Sequence, residues 1–233
     1  MTGTLINALA IIAGSSIGML CGTKISEKYK TIFFQAIGLF TLLLGIKMAL
    51  DMSSPLLIVI SLVLGGFLGM KLQLSAKTEQ LGDYLKAKFK SANNRFTEGL
   101  ITSFLLFCMG SMAIVGAMEE GLGHSSDLLL TKSVMDFFSS LILATTLGVS
   151  VLLAFIPLLL FQGGITLIVS LAGENIPQEM ISGLTTIGGI LLIGLGLTLL
   201  QIKKIDIINM LPSLLFICLA VWLQGIWYLV VGI

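Results

Sequence analysis

The chain has 233 residues, of which 56% are hydrophobic and only 11% are charged, and its mean hydropathy is +1.07. A soluble domain carries roughly 25% charged residues, so this composition excludes an ordinary water-soluble protein and indicates that lipid is the solvent. The net charge of +1 gives no reason to expect nucleic acid as a partner.

Apolar segments of about 20 residues, the length that crosses a bilayer, recur along the chain. In chain order they are 4–22, 32–50, 55–72, 100–119, 132–148, 150–172, 182–201 and 207–231. The first lacks the basic residues of a cleaved signal, so we expect it to be retained as a span. As one helix, the stretch 132–172 would be about 60 Å long, twice the bilayer core. A break near Gly148 is therefore predicted, giving an all-α polytopic transmembrane bundle of about eight spans.

The distribution of Lys and Arg supports this count independently. With the N-terminus outside and eight crossings, eleven of the thirteen basic residues lie in or beside the cytoplasmic segments 23–31, 73–98 and 202–206. This distribution follows the positive-inside rule. The exceptions, Lys47 and Lys132, lie near outer helix ends, where long side chains can reach the interface. Both termini are therefore expected outside.

Weak internal similarity indicates an inverted three-span repeat. A shift of 151 residues aligns Gly38 with Gly189 and Gly45 with Gly196. The two copies begin on opposite sides of the membrane, an arrangement found in many secondary transporters; chance matches among glycine-rich spans are the alternative. The expected segments are repeat one (1–72), a cytoplasmic amphipathic linker (73–98), a central hairpin (99–149) and repeat two (150–233).

The linker is the longest polar stretch of the chain. Leu74, Leu81, Leu85 and Phe89 share one helical face, and lysines occupy the rest. This pattern is typical of a basic helix lying on the cytoplasmic leaflet. Docking of a soluble partner is the alternative interpretation.

Four charged residues border the external loop between the fourth and fifth spans: Glu119, Glu120, Lys132 and Asp136. Lys132 and Asp136 are four residues apart, so they share a helix face and can pair. A structural ion pair is one interpretation. The other is a cation or proton site, because charges within spans are costly and usually functional.

Polar residues in other spans could line the same path. Ser111 follows Cys108-Met109-Gly110 in a span that glycine allows to break, and Ser139 lies one turn after Asp136. Gln162 brings a donor and an acceptor to mid-membrane, and Asn7 does so in the first span. Each of these side chains could instead satisfy a neighbouring helix.

Several function classes lack their signatures. The sequence has no phosphate-binding loop, no G-x-S-x-G and no H-E-x-x-H. A single histidine, His124, and three cysteines at unrelated spacings provide no metal pattern. We therefore expect no enzyme activity and no cofactor.

Five motifs resemble a family of uncharacterised bacterial membrane proteins that includes YqgA and YdfK. They are GTLINALAIIAGSSIG (3–18), FCMGSMAIVGAMEEGL (107–122), TKSVMDFF (131–138), FQGG (161–164) and KKIDIINMLP (203–212). The resemblance covers essentially the whole chain and implies a location in the bacterial cytoplasmic (inner) membrane. It adds weight to Glu120, Lys132, Asp136 and Gln162, which lie within these motifs.

Two functions are compatible with the sequence. The first is a secondary transporter or ion-conducting protein for a small solute, coupled to H⁺ or Na⁺, in which Asp136 and Glu120 bind the cation. The second is a non-transporting scaffold or regulator that acts through the basic segment 73–98. The expected partners are the lipid bilayer and a small solute or cation, and exposed glycine-rich faces could pair in a homodimer.

Overall fold

The computed structural model describes residues 1–22, 27–50, 52, 54–88, 95–108, 111–172 and 177–231. Within these ranges the regular secondary structure is α-helical, which confirms the predicted fold class. The helices are α1 (Thr2–Gly22), α2 (Glu27–Ala49), α3 (Pro55–Leu72), α4 (Leu74–Lys88), α5 (Phe96–Cys108), α6 (Ser111–Gly121), α7 (Asp127–Leu147), α8 (Val149–Leu153), α9 (Phe155–Ala172), α10 (Gln178–Leu199), α11 (Ile207–Met210) and α12 (Ser213–Val231).

Among the described residues, six helical segments are long and apolar enough to cross a membrane, fewer than the eight predicted. They are α1, α3, α7, the segment Val149–Leu171, α10 and the segment Ile207–Gly225. The helices α5 and α6, which are inclined to each other by 58°, make a seventh if they count as one span. The helix α2 contains a shorter apolar stretch, Gly38–Ala49.

The predicted break between the fifth and sixth spans is present at Gly148. This residue has a φ of +67°, and its N–H donates to the Ala144 carbonyl at the end of α7. Glycine adopts a positive φ without the steric penalty that a Cβ would bring. The chain therefore leaves α7 at this residue and starts α8 one residue later.

The helix α3 has the pattern expected of a membrane helix. Its buried positions are Ile58, Ser61, Gly65 and Gly69, at intervals of three and four residues. Large apolar side chains such as Phe67 cover the exposed face. A small-residue stripe inside and bulky apolar residues outside suit helix packing in lipid.

One compact unit comprises residues 1–36 and 78–175. Its most extensive interface joins α1 and α7. Gly3 lies against Leu129, and Gly18 lies against the carbonyl of Leu141. Both helices therefore run in the same direction, and the glycines of α1 allow a backbone approach that larger residues would block.

A second compact unit comprises residues 37–77 and 176–233. Gly45 of α2 meets the Gly189 carbonyl of α10, and Gly196 meets the Gly38 carbonyl, so these helices run in opposite directions. The helices α3 and α12 are also antiparallel, because Gly65 lies against Ser213 while the earlier residue Ile58 shares a cavity with Ile217.

The described part of the polar linker is helical, as predicted. Gln73, with a φ of +54°, separates α3 from α4. Leu74 and Leu85 are half-buried, whereas Leu81 and Tyr84 are exposed. The predicted apolar face is therefore only partly covered, and Phe89 lies outside the described residues.

Candidate functional site

A buried ion pair lies within α7. The Lys132 Nζ is 2.6 Å from the Asp136 Oδ2, and each residue is 5% exposed. The pairing follows from the four-residue spacing on one helix, as the sequence indicated. The expectation that Lys132 reaches the membrane interface is wrong, because its side chain is buried with its partner inside the unit.

Two side-chain amides from other helices join this pair. The Asn7 Nδ2 of α1 donates to the Gln162 Oε1 of α9 at 3.3 Å, and Asn7 lies near the Asp136 carboxylate. Both amide residues are fully buried. Lys132, Asp136, Asn7 and Gln162, here called the polar cluster, thus bring together four of the predicted site residues from three helices.

The polar cluster is not fully satisfied by its own side chains. The Asn7 Oδ1 and the Gln162 Nε2 are buried and have no hydrogen-bond partner among the described residues. One is an acceptor and the other a donor. An unpaired buried polar atom costs about 1–3 kcal/mol, so these two atoms mark positions where water or a polar ligand would be stabilised.

Glu120 forms a separate site at the start of α1. Its carboxylate accepts from the Gly3 N–H at 2.5 Å, from the Thr4 hydroxyl at 2.8 Å and from the Ser126 hydroxyl at 3.3 Å. The amino group of Met1 lies 3.4 Å away. A carboxylate at a helix N-terminus binds free N–H groups and opposes the positive end of the helix dipole. The geometry therefore gives Glu120 a capping role on α1.

Three other predicted residues are not brought into the polar cluster by any described contact. Glu119 is half-buried, and its side chain makes no polar contact among the described residues. Ser139 is half-exposed, whereas its neighbour Ser140 is buried against Gly14 of α1. The side chain of Ser111 lies outside the described part of the chain.

The structure adds residues that the sequence did not single out. Thr4 and Ser126 bind Glu120, and the Cys108 thiol of α5 is buried near the ion pair. Thr102 and Ser103 of α5 are buried, with hydroxyls that have no partner among the described residues. Thr102 and Ser103 could have been identified from the sequence, because they are two adjacent hydroxyl residues within an apolar span.

A cavity of about 150 Å³ lies in the second unit, among α3, α10 and α12. Its wall is mostly apolar, with Ile58 and Ile217, and its polar residues include Glu179 and Gln224. None of the predicted site residues lines it. Among the described residues there is also no group of three His, Cys, Asp or Glu side chains that could hold a metal ion.

Comparison with known proteins places the chain among membrane proteins of undefined activity. Residues 2–222 match the family described as "Protein of unknown function (DUF554)". The chain is 37% identical over 219 residues to "Uncharacterized membrane protein YdfK" of Bacillus subtilis (strain 168), with 92% of this chain and 93% of the relative covered. It is 30% identical over 232 residues to "Uncharacterized protein YqgA" of Escherichia coli (strain K12), with 97% of each covered. No solved structure matches the chain. The apolar helices and the similarity to YdfK identify a membrane protein. The chain belongs to the DUF554 family.

Proposed function

We propose that this protein is a secondary transporter or ion-conducting membrane protein for a small solute, coupled to H⁺ or Na⁺. The observation that carries the proposal is the polar cluster, in which the Lys132–Asp136 ion pair and two incompletely bonded amides are buried among apolar helices. Asp136 would bind the cation, and Asn7 and Gln162 would line its path.

The polar cluster is a poor way to stabilise a fold. Burying an ion pair costs desolvation free energy that an apolar pair of similar volume avoids. Two unpaired amide atoms add to that cost. Intramembrane charges of this kind are therefore functional by default, and movement of an ion or a polar solute is the function that needs them.

The relative directions of the helices support eight crossings. Spanning helices that run in the same direction are an even number of crossings apart. Six crossings would make α3 and α12 parallel, and adding only the bent α5–α6 pair would make α1 and α7 antiparallel. Counting α2 as well fits both observed directions. With the basic residues inside, both termini lie outside the cytoplasmic (inner) membrane in this proposal.

Glycine contacts in the second unit support an inverted repeat. A shift of 151 residues makes Gly45 equivalent to Gly196 and makes Gly38 equivalent to Gly189. Replacing each glycine of the Gly45–Gly189 contact by its equivalent gives the pair Gly196 and Gly38, and these two residues are also in close contact. A pair of helices related by a two-fold axis in the membrane plane would produce this exchange, and transporters built from inverted repeats have such an axis.

The exposure of α4 favours a second candidate function. Lys77, Lys88, Leu81 and Tyr84 are all exposed on this helix. A regulatory or scaffolding protein could use such a surface to bind a partner. In that case the polar cluster would be a dry structural contact with no access from water.

The test is ion flux through the purified protein in liposomes. Internal pH is followed while gradients of Na⁺, K⁺ or a divalent metal are imposed, for wild type and for Asp136→Asn. We expect the wild type to carry a flux that the variant loses, because the variant has no carboxylate to bind a cation. Asp127→Asn is the matched control, since it makes the same substitution at an exposed residue in the first turn of the same helix.

Two results would contradict the proposal. Folded wild-type protein that carries no flux with any cation removes cation-coupled transport and favours the scaffold. Full flux in Asp136→Asn would show that the ion path lies elsewhere.

A further inference from the structure

The Lys132 ammonium is in direct contact with the Asp136 carboxylate. Its Nζ lies 2.6 Å from the Asp136 Oδ2, which is the closest carboxylate contact described in α7. A transported ion that binds this carboxylate must therefore compete with the ammonium group. The competing cation is thus Lys132, which lies about one turn from Asp136 on the same helix.

The net charge of the Lys132–Asp136 site determines which other change must accompany the binding of a cation. The ion pair is neutral, and both of its residues are 95% shielded from solvent. A cation added to the intact pair would leave a net positive charge in a medium where an uncompensated charge is very costly. Loss of one proton from Lys132 restores neutrality. A divalent ion would still leave an excess positive charge, so a monovalent cation fits the site.

One neutral oxygen ligand is available beside the carboxylate. The Asn7 Oδ1 is buried and has no hydrogen-bond partner among the described residues, and Asn7 lies near Asp136. Rotation of this amide by half a turn exchanges its donor for its acceptor. A monovalent cation would then meet the Asp136 carboxylate and the Asn7 carbonyl oxygen, with water completing its shell.

Lys132 is the group best placed to release the proton. The elements that pack against α7 are α1, α5, α6 and α8. Their titratable side chains are Cys21 on α1, Glu98 and Cys108 on α5, and Glu119 and Glu120 on α6, with none on α8. Among the described residues, Glu120 is bound at the start of α1, Glu98 pairs with Arg95, and the buried Cys108 lies near the ion pair.

We infer that Lys132 is a displaceable internal counter-cation and that the protein exchanges monovalent cations for protons. This inference rests on the proposed function. In each exchange one monovalent cation binds Asp136 and one proton leaves the Lys132 ammonium, which remains as a neutral amine. The net charge of the site is zero before and after the step, so the exchange moves no net charge across the membrane.

The experiment uses the full chain in liposomes that contain a pH-sensitive dye. Uptake of radioactive Na⁺ is measured together with proton efflux, at several membrane voltages set by K⁺ gradients and a K⁺ ionophore. For wild type we expect proton efflux to match cation uptake and uptake to be insensitive to voltage.

Lys132→Arg is the decisive variant. It preserves a cation beside Asp136 and so preserves the fold, but a guanidinium does not lose its proton in proteins. We expect it to lose both cation uptake and proton efflux. Thermal unfolding in detergent verifies that it is folded.

The outcomes separate the two proposals. Wild-type cation flux that follows voltage and moves no protons would overturn the exchange while leaving transport in place. Unchanged exchange in Lys132→Arg would also overturn it. An absence of any wild-type flux would overturn the proposed function itself.

Discussion

The two compact units of this chain bury different kinds of residue. Every charged side chain that is buried in the described part of the chain lies in the first unit: Glu120, Lys132 and Asp136. Both units bury glycines along one helix: Gly3, Gly14 and Gly18 of α1 in the first, and Gly183, Gly188, Gly189, Gly194 and Gly196 of α10 in the second. In the described part of the second unit, the buried polar side chains are uncharged.

The difference separates packing from chemistry. In lipid there is little hydrophobic gain from bringing two helices together, so close approach of backbones at small residues provides much of the attraction. The second unit uses this device at Gly45 and Gly189, and the first uses it between α1 and α7. The first unit also contains a polar cluster that close packing does not require. We expect these residues to lower stability and to be retained because they serve the function.

The largest expected effect comes from breaking the ion pair of the first unit. Lys132→Met leaves the Asp136 carboxylate buried without its partner and should lower the free energy of unfolding by about 3–5 kcal/mol. Lys132→Met combined with Asp136→Leu should recover most of that loss, because neither charge remains. Thermal unfolding in detergent measures both. Equal stability of the single variant and wild type would mean that the pair is not buried.

A smaller effect is expected from the glycine packing of the second unit. The Gly69 backbone lies against that of Asn209, so Gly69→Ala should lower stability by about 1–3 kcal/mol through overpacking. Gly66→Ala is the control on the same helix, since no atom lies within 4 Å of the position of an added Cβ. This control should change stability by less than about 1 kcal/mol. Similar losses in both variants would contradict the close approach.

The smallest effect is expected at the Glu120 cap. Glu120→Gln keeps an acceptor oxygen but removes the charge that opposes the α1 dipole, and should cost about 1 kcal/mol. Glu119→Gln changes the same charge on the neighbouring residue, which lacks these contacts, and should cost less than about 0.5 kcal/mol. Melting temperatures in detergent compare the two. A larger loss at Glu119 would reverse the assignment of the cap.

Much of the local structure was predictable because it depends on residues close together in sequence. Hydropathy located the helices, and the excessive length of the 132–172 stretch located the break at Gly148. The spacing of Lys132 and Asp136 indicated their pairing, since residues four apart meet on any helix. The same local rule could not reveal that Lys132 is buried, because burial depends on what packs against α7.

The remaining parts of the candidate site depend on residues far apart in sequence. The amide of Asn7 meets that of Gln162 across 155 positions, and Glu120 meets Gly3 and Thr4 across 117 and 116. Hydropathy is similar for every face of a membrane helix, so it cannot specify which face meets which neighbour. The sequence could identify Asn7, Gln162 and Glu120 as unusual residues in apolar segments. It could not identify the residues that they contact.

The sequence by itself determined that this chain is an all-helical membrane protein and in which segments most of its helices lie, although several helices begin four or five residues before the predicted position. The physical reason is that a lipid solvent requires long apolar segments with internally bonded backbones, a requirement visible in composition alone. Only the tertiary structure decided that Asn7 and Gln162 join the ion pair and that Glu120 caps α1. Those contacts depend on how glycine-lined faces fit together, and steric fit between distant segments is not written in the hydropathy of either one.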